Sequence, residues 1–152
     1  MQRHHSAAPD RPFFAYFAPG ATHTPLQAPR DWIARYKGRF SQGWDKLREE
    51  SFARQKALGV IPQDAALTPR PDALPAWDSL DRDQKKVAER LMETYAGFLA
   101  HTDAQIGRLR TALDRMGVLD DTIFIYIVGD NGASGEGGPE GPAHYMAKIQ
   151  GV

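Results

Sequence analysis

The sequence has 152 residues, 41% hydrophobic and 25% charged, with 19 basic side chains balanced by 19 acidic ones. That composition is ordinary for a globular chain, and the length suffices for one domain with a core. Zero net charge excludes a bulk electrostatic footprint for nucleic acid or an anionic membrane; no apolar run approaches the roughly 20 residues of a membrane span; and the absence of cysteine excludes disulfides, thiolate metal sites and cysteine nucleophiles within the chain.

Residues 1–11, MQRHHSAAPDR, are polar, lack the apolar run of a secretory signal and are expected to be irregular. Residues 12–18, PFFAYFA, are aromatic and apolar at nearly every position. That pattern predicts a strand buried on both faces, as in a parallel sheet. Pro19-Gly20 is a turn signal, and ATHTPLQAPR after it is a loop punctuated by prolines. A short helix is expected from Asp31 as cap, with Trp32, Ile33 and Tyr36 on one face and Gly38 as its end. A second helix fits residues 45–58, with Leu47, Phe52 and Leu58 as a sparse apolar set and Gly59 as its stop.

Residues 60–80 hold Pro62, Pro69, Pro71 and Pro75. Irregular stretches of that length in compact domains usually serve a site or an interface. Asp81-x-x-Gln84 then reads as a capping box. Val87, Leu91, Tyr95, Phe98, Thr102, Ile106, Leu109, Leu113 and Met116 follow at helical spacing, predicting one stripe roughly 50 Å long at about 1.5 Å per residue. Gly97 and Gly107 are candidate bends and Gly117 the end. Asp120-Asp121 turns the chain into a second apolar strand, residues 122–129, and residues 142–152 are expected to be irregular again.

Helices between two doubly apolar strands predict an α/β layered domain with a mostly parallel sheet flanked by helices. Two strands make no adequate sheet, so the chain is expected to be a piece of a larger domain.

In open α/β sheets ligands bind beyond the carboxyl ends of the strands. The second strand delivers Asp130 and Asn131, hard oxygen donors suited to Ca²⁺ or Mg²⁺; Asp-Asn-Gly is equally a favoured turn. The first strand leads to Thr22-His23-Thr24-Pro25, where a histidine can bind an oxyanion or move a proton, or simply be solvated. His4, His5, His101 and His144 have weaker claims. Trp32, Trp44 and Trp77 read as packing residues rather than a stacking surface. The glycine-rich loop after Asn131 lacks the Lys-Ser/Thr of a phosphate-binding loop, and no His-Glu-x-x-His or Gly-x-Ser-x-Gly occurs.

PFFAYFAPGATHTPLQAP and IFIYIVGDNGA, in that order and separation, resemble segments of the type I, formylglycine-dependent sulfatases of the alkaline-phosphatase superfamily, in particular the arylsulfatase subgroup. The segments YKGRFSQGWDKLREESFARQKALGVIP and AWDSL…YAGFLAHTDAQIGRLRTAL resemble arylsulfatase connecting regions, so the similarity runs from about residue 12 to 141. The resemblance implies an alkaline-phosphatase-like fold and hydrolysis of a small-molecule sulfate ester to alcohol and sulfate. It implies that His23 contacts the sulfate group or assists the leaving group, and that Asp130 and Asn131 bind a divalent cation, usually Ca²⁺. The family nucleophile, a formylglycine made within Cys/Ser-x-Pro-x-Arg, has no counterpart: Ala7-Ala8-Pro9-Asp10-Arg11 has the Pro and Arg spacing with Ala at the nucleophile. The chain is therefore expected to be a central, inactive part of a sulfatase catalytic domain, without the upstream nucleophile segment or the downstream part. Alternatives are a phosphoesterase or phosphonate hydrolase of the same superfamily, or a non-catalytic truncated or pseudogene product.

Overall fold

The computed structural model describes residues 1–129 and 150–151. Four α-helices occur among them: α1 (Gln2–Ala7), α2 (Arg30–Ala34), α3 (Gly43–Ala57) and α4 (Arg82–Arg115), with a 3₁₀ turn at Trp77–Ser79 between α3 and α4. Helix α4 dominates. Its 34 residues span about 51 Å.

The start of α4 follows the sequence closely. The Asp81 carboxylate accepts hydrogen bonds from the backbone N–H groups of Asp83 and Gln84, both at 2.8 Å. The Asp81 N–H donates to the Gln84 side-chain oxygen at 3.0 Å, completing the capping box and satisfying donors that the first helical turn leaves without partners. The helix ends at Gly117, whose φ of 69° suits the left-handed conformation. There Val118 N–H reaches the Leu113 carbonyl and Gly117 N–H the Asp114 carbonyl, the pair of bonds of a Schellman ending. Gly59 closes α3 in the same way, with Val60 bonded to Gln55 and Gly59 to Lys56.

Helix α2 differs from expectation at its start. Pro29, not Asp31, is its N-cap residue, without a side-chain cap, and Asp31 lies in the first turn, where its charge favours the positive end of the helix dipole. Residues 2–7, expected to be irregular, form the short helix α1; none of its residues is buried.

The two predicted strands are not formed. Residues 12–18 and 122–129 carry no strand pairing, and no strand occurs among the described residues. Phe14 is 91% exposed and Tyr16 84%. In the second segment exposure alternates: 89% at Ile123, 40% at Phe124, 76% at Ile125, 50% at Tyr126 and 84% at Ile127. That period of two is the one an extended chain gives its side chains. A strand is defined by hydrogen bonds to a neighbour, and a segment apolar on both faces needs neighbours and covering layers. The described residues supply neither, so the mostly parallel sheet is absent from them.

What packing there is comes from helices. Among the described residues the buried apolar side chains are Ile33, Trp77, Ala88 and Leu113. Helix α2 lies across α4 at Gly97. A Cβ built on Gly97 would come 2.8 Å from Ile33 Cα and 2.9 Å from Ile33 N. Gly97 therefore serves close helix packing, and α4 continues as helix through it and through Gly107.

The second packing unit pins the proline-rich stretch to α3. Arg48 donates to the Thr68 carbonyl and hydroxyl at 2.7 and 2.6 Å. Asp45 pairs with Arg70 at 3.3 Å and accepts the Trp77 N–H at 2.7 Å. Trp44 donates its indole N–H to the Pro75 carbonyl at 3.1 Å and meets Trp77 edge-on, with ring centroids 5.0 Å apart. Apart from the 3₁₀ turn at Trp77–Ser79, the long irregular stretch is thus tied to one helix by hydrogen bonds.

Candidate functional site

The loop after residues 12–18 folds into a turn, with the His23 N–H bonded to the Gly20 carbonyl at 3.0 Å. Its Ala21–Thr22 and Thr24–Pro25 peptide bonds are cis. The loop borders an open depression of about 590 Å³, lined by Pro19, Gly20, Ala21, His23, Thr24, Pro25 and Gln27, and by Phe98 of α4. His23 is exposed on this depression. Its Nδ1 lies 2.7 Å from the Thr24 carbonyl oxygen. A carbonyl only accepts, so Nδ1 carries the proton of that bond, and Nε2 becomes the nitrogen that holds the lone pair in the neutral ring. A ring oriented in this way can donate from Nε2 to an oxyanion when protonated, or accept a proton there when neutral.

The chain that follows the loop is basic. Arg30, the first residue of α2, is three residues beyond Gln27 and so within about 11 Å of it along the chain. Arg35, Lys37 and Arg39 follow, against Asp31 as the one acid between residues 30 and 39. Arg35 is partly engaged, its guanidinium lying 3.6 Å from the Trp32 ring centroid, which is within cation–π range. Trp32 also meets His101 edge-on at 5.4 Å, and the His101 Nε2 lies 3.2 Å from the Gln105 amide nitrogen. His101 is half-buried packing, as its place on the long helix suggested.

Asp130 and Asn131 lie outside the described residues, so their placement relative to His23 is not part of this geometry; His144 does as well. Among the described residues no three His, Asp or Glu side chains stand together in a way that could hold a metal ion. No described helix is long and apolar enough to cross a membrane.

Two features of this region escape sequence reading. Phe98 reads as a member of the apolar stripe, yet it forms a wall of the depression. Glu93 reads as one more surface charge on a long helix, yet it is only 7% exposed. The signal that was available is Gly97 in mid-helix, which marks a place where another backbone comes close.

A family model for sulfatases matches residues 4–151. The chain belongs to the sulfatase family. An arylsulfatase of Klebsiella aerogenes is 39% identical over 125 residues, which are 82% of this chain and 26% of that protein. An uncharacterized sulfatase of Schizosaccharomyces pombe is 40% identical over 124 residues, 81% of this chain and 22% of that protein. An arylsulfatase of Clostridium perfringens is 27% identical over 128 residues, with 78% and 22% covered. The sulfatase chain described here thus spans about a quarter of the length of the curated relatives it matches.

Proposed function

We propose that this chain is the part of an arylsulfatase-like sulfuric ester hydrolase that carries a sulfate-contacting histidine and two ligands of a divalent cation. The observation that supports it most is the sulfatase match along residues 4–151, together with the exposure of His23 on the depression beside α4. The substrate class is a small-molecule sulfate ester, and the domain that contains this chain is an alkaline-phosphatase-like α/β layer structure in which residues 12–18 and 122–129 take strand neighbours.

In this reading His23 meets a non-bridging sulfate oxygen or the leaving-group oxygen through Nε2, while the Nδ1–H bond to Thr24 holds the ring's tautomer. Asp130 and Asn131 would hold Ca²⁺ through oxygen. When bound, that cation offsets the charge on the sulfate group. The chain has no cysteine from which a formylglycine could be made and no Ser-x-Pro-x-Arg, so it supplies no nucleophile of the family's type. Binding groups without a nucleophile leave only a small remnant of catalysis.

The test has two arms. Inorganic sulfate should move the His23 ring resonances in an NMR titration, beyond the effect of chloride at matched ionic strength; an equal response to both ions would remove the sulfate-contact role. With excess Ca²⁺ and an aryl sulfate, residues 1–152 should show no turnover above a buffer blank. Turnover abolished by Asp130→Ala would show a complete enzyme of another design.

A further inference from the structure

We infer that Glu93 is a positioning residue for His23, acting through the seat that α4 offers to α2 and to the loop of residues 19–27. This rests on the reading of His23 as a functional group, and concerns how the fold sets its place.

Glu93 is a carboxylate removed from water, whereas Arg90, three residues before it on the same helix, is exposed. A buried carboxylate is stable only when its oxygens are hydrogen-bonded. One oxygen accepts the backbone N–H of Gly38 at 2.8 Å. The other accepts from the Arg90 guanidinium at 3.0 Å. The Gly38 bond joins positions 55 residues apart and ties the turn that follows α2 to α4.

One turn further along α4 stands Gly97, on the same face as Glu93. There the backbone of α2 passes so close that only glycine fits: a Cβ would meet Ile33 Cα at 2.8 Å and Trp32 C at 3.0 Å. All of these are backbone atoms, so no side-chain rotation relieves the contact. The next residue, Phe98, lines the depression with His23. Three consecutive features of one helix thus seat the turn after α2, α2 itself and the His23 loop.

The connection back to His23 is short. The N–H groups of Trp32 and Ile33 both bond to the Pro29 carbonyl, at 3.0 and 3.3 Å, which joins the first turn of α2 to the end of the loop. Pro25 and Pro29 fix their own φ and restrict Thr24 and Ala28 before them, which leaves Leu26 and Gln27 as the two residues of this stretch that proline does not restrict. A shift of α2 on α4 is therefore passed to Gln27, Pro25 and His23 rather than absorbed by a flexible linker. The sequence alone would put Glu93 among the solvated charges of α4; its burial and its bond to Gly38 give it this part.

The test uses the 152-residue chain with ¹⁵N-labelled histidine, reading the tautomer pattern and the ring shifts of His23, assigned with His23→Gln. Glu93→Ala removes both bonds and should move the His23 ring resonances. Glu93→Gln keeps an acceptor for Gly38 and should restore the wild-type pattern. Gly97→Val should move His23 in the same way as Glu93→Ala. Gly43→Ala is the control. Its Cβ would meet the Trp77 ring at 2.2 Å, so it disturbs the clasp between α3 and Trp77 and should leave His23 where it is. Circular dichroism reports whether each variant keeps its helices. Should Gly97→Val lose them, the Glu93 pair decides. The inference falls if Glu93→Ala is folded with an unmoved His23, if Glu93→Ala and Glu93→Gln give the same spectrum, or if Gly43→Ala moves His23 as far. The sulfate titration of the wild type is read separately: a His23 that ignores sulfate but answers to Glu93 would refute the sulfate-contact role and leave the positioning role standing.

Discussion

Trp77→Ala measures what holds the proline-rich stretch to α3. Trp77 is 6% exposed, packed on Gly43 and edge-on to Trp44. A buried Trp removes roughly 200 Å² from water, which at about 25 cal/mol per Å² amounts to about 5 kcal/mol. The compactness of real unfolded chains trims this by 10–40%, to about 3–4 kcal/mol, within the range of aromatic truncations. The backbone bond from Trp77 N–H to Asp45 survives the substitution, so the loss is one of packing. It should appear as easier local opening of residues 68–80, because that unit is bonded to α3 through Trp44, Asp45 and Arg48. At about 1.4 kcal/mol per tenfold, exchange of the Trp77, Ser79 and Leu80 amides should accelerate by up to ~10²–10³. These amides are bonded to Asp45, Ala76 and Trp77 respectively. Amides in the middle of α4 are the internal reference and should change far less. Exchange at residues 77–80 within about threefold of wild type would mean that the hydrogen bonds of Asp45 and Arg48 hold the stretch without the indole, and the area argument would be wrong.

Asp81→Ala should cost about 1 kcal/mol of α4 stability, read as a lowered urea midpoint at 222 nm, whereas Asp81→Asn should retain most of it because it keeps the acceptor; equal midpoints for the two would show that the cap contributes nothing. Ca²⁺ should bind residues 1–152 with a Kd no tighter than about 1 mM, since two side-chain donors are few against the 6–8 oxygens Ca²⁺ takes; a micromolar isotherm would require donors beyond Asp130 and Asn131. Ile125→Lys should reduce concentration-dependent self-association seen by light scattering, because Ile125 stands in an exposed apolar run of the kind that pairs between molecules; unchanged scattering would acquit residues 123–128.

Features that depend on near neighbours along the chain were legible before any fold was known. Asp81 and Gln84 are three residues apart, so the capping box could be read and is formed as read. Gly59 and Gly117 end their helices because each supplies the left-handed residue that the last turn needs. The motif around His23 and that around Asp130 and Asn131 were legible as a sulfatase pattern, and the family match bears that out. The roles of His23, Asp130 and Asn131, by contrast, remain proposals for experiment to test. Apolar composition marked residues 12–18 and 122–129 as strands. Whether such segments pair is decided by the strands that meet their N–H and C=O groups, and the described residues offer no strand. Tertiary structure alone decided the rest. The seat of α2 on Gly97 joins residues 64 positions apart in sequence (97 − 33), and Glu93 becomes a buried acceptor only because the turn at Gly38 arrives over it. Spacing along a chain reports which residues share a face of their own helix; it carries no record of which other backbone will cross that face.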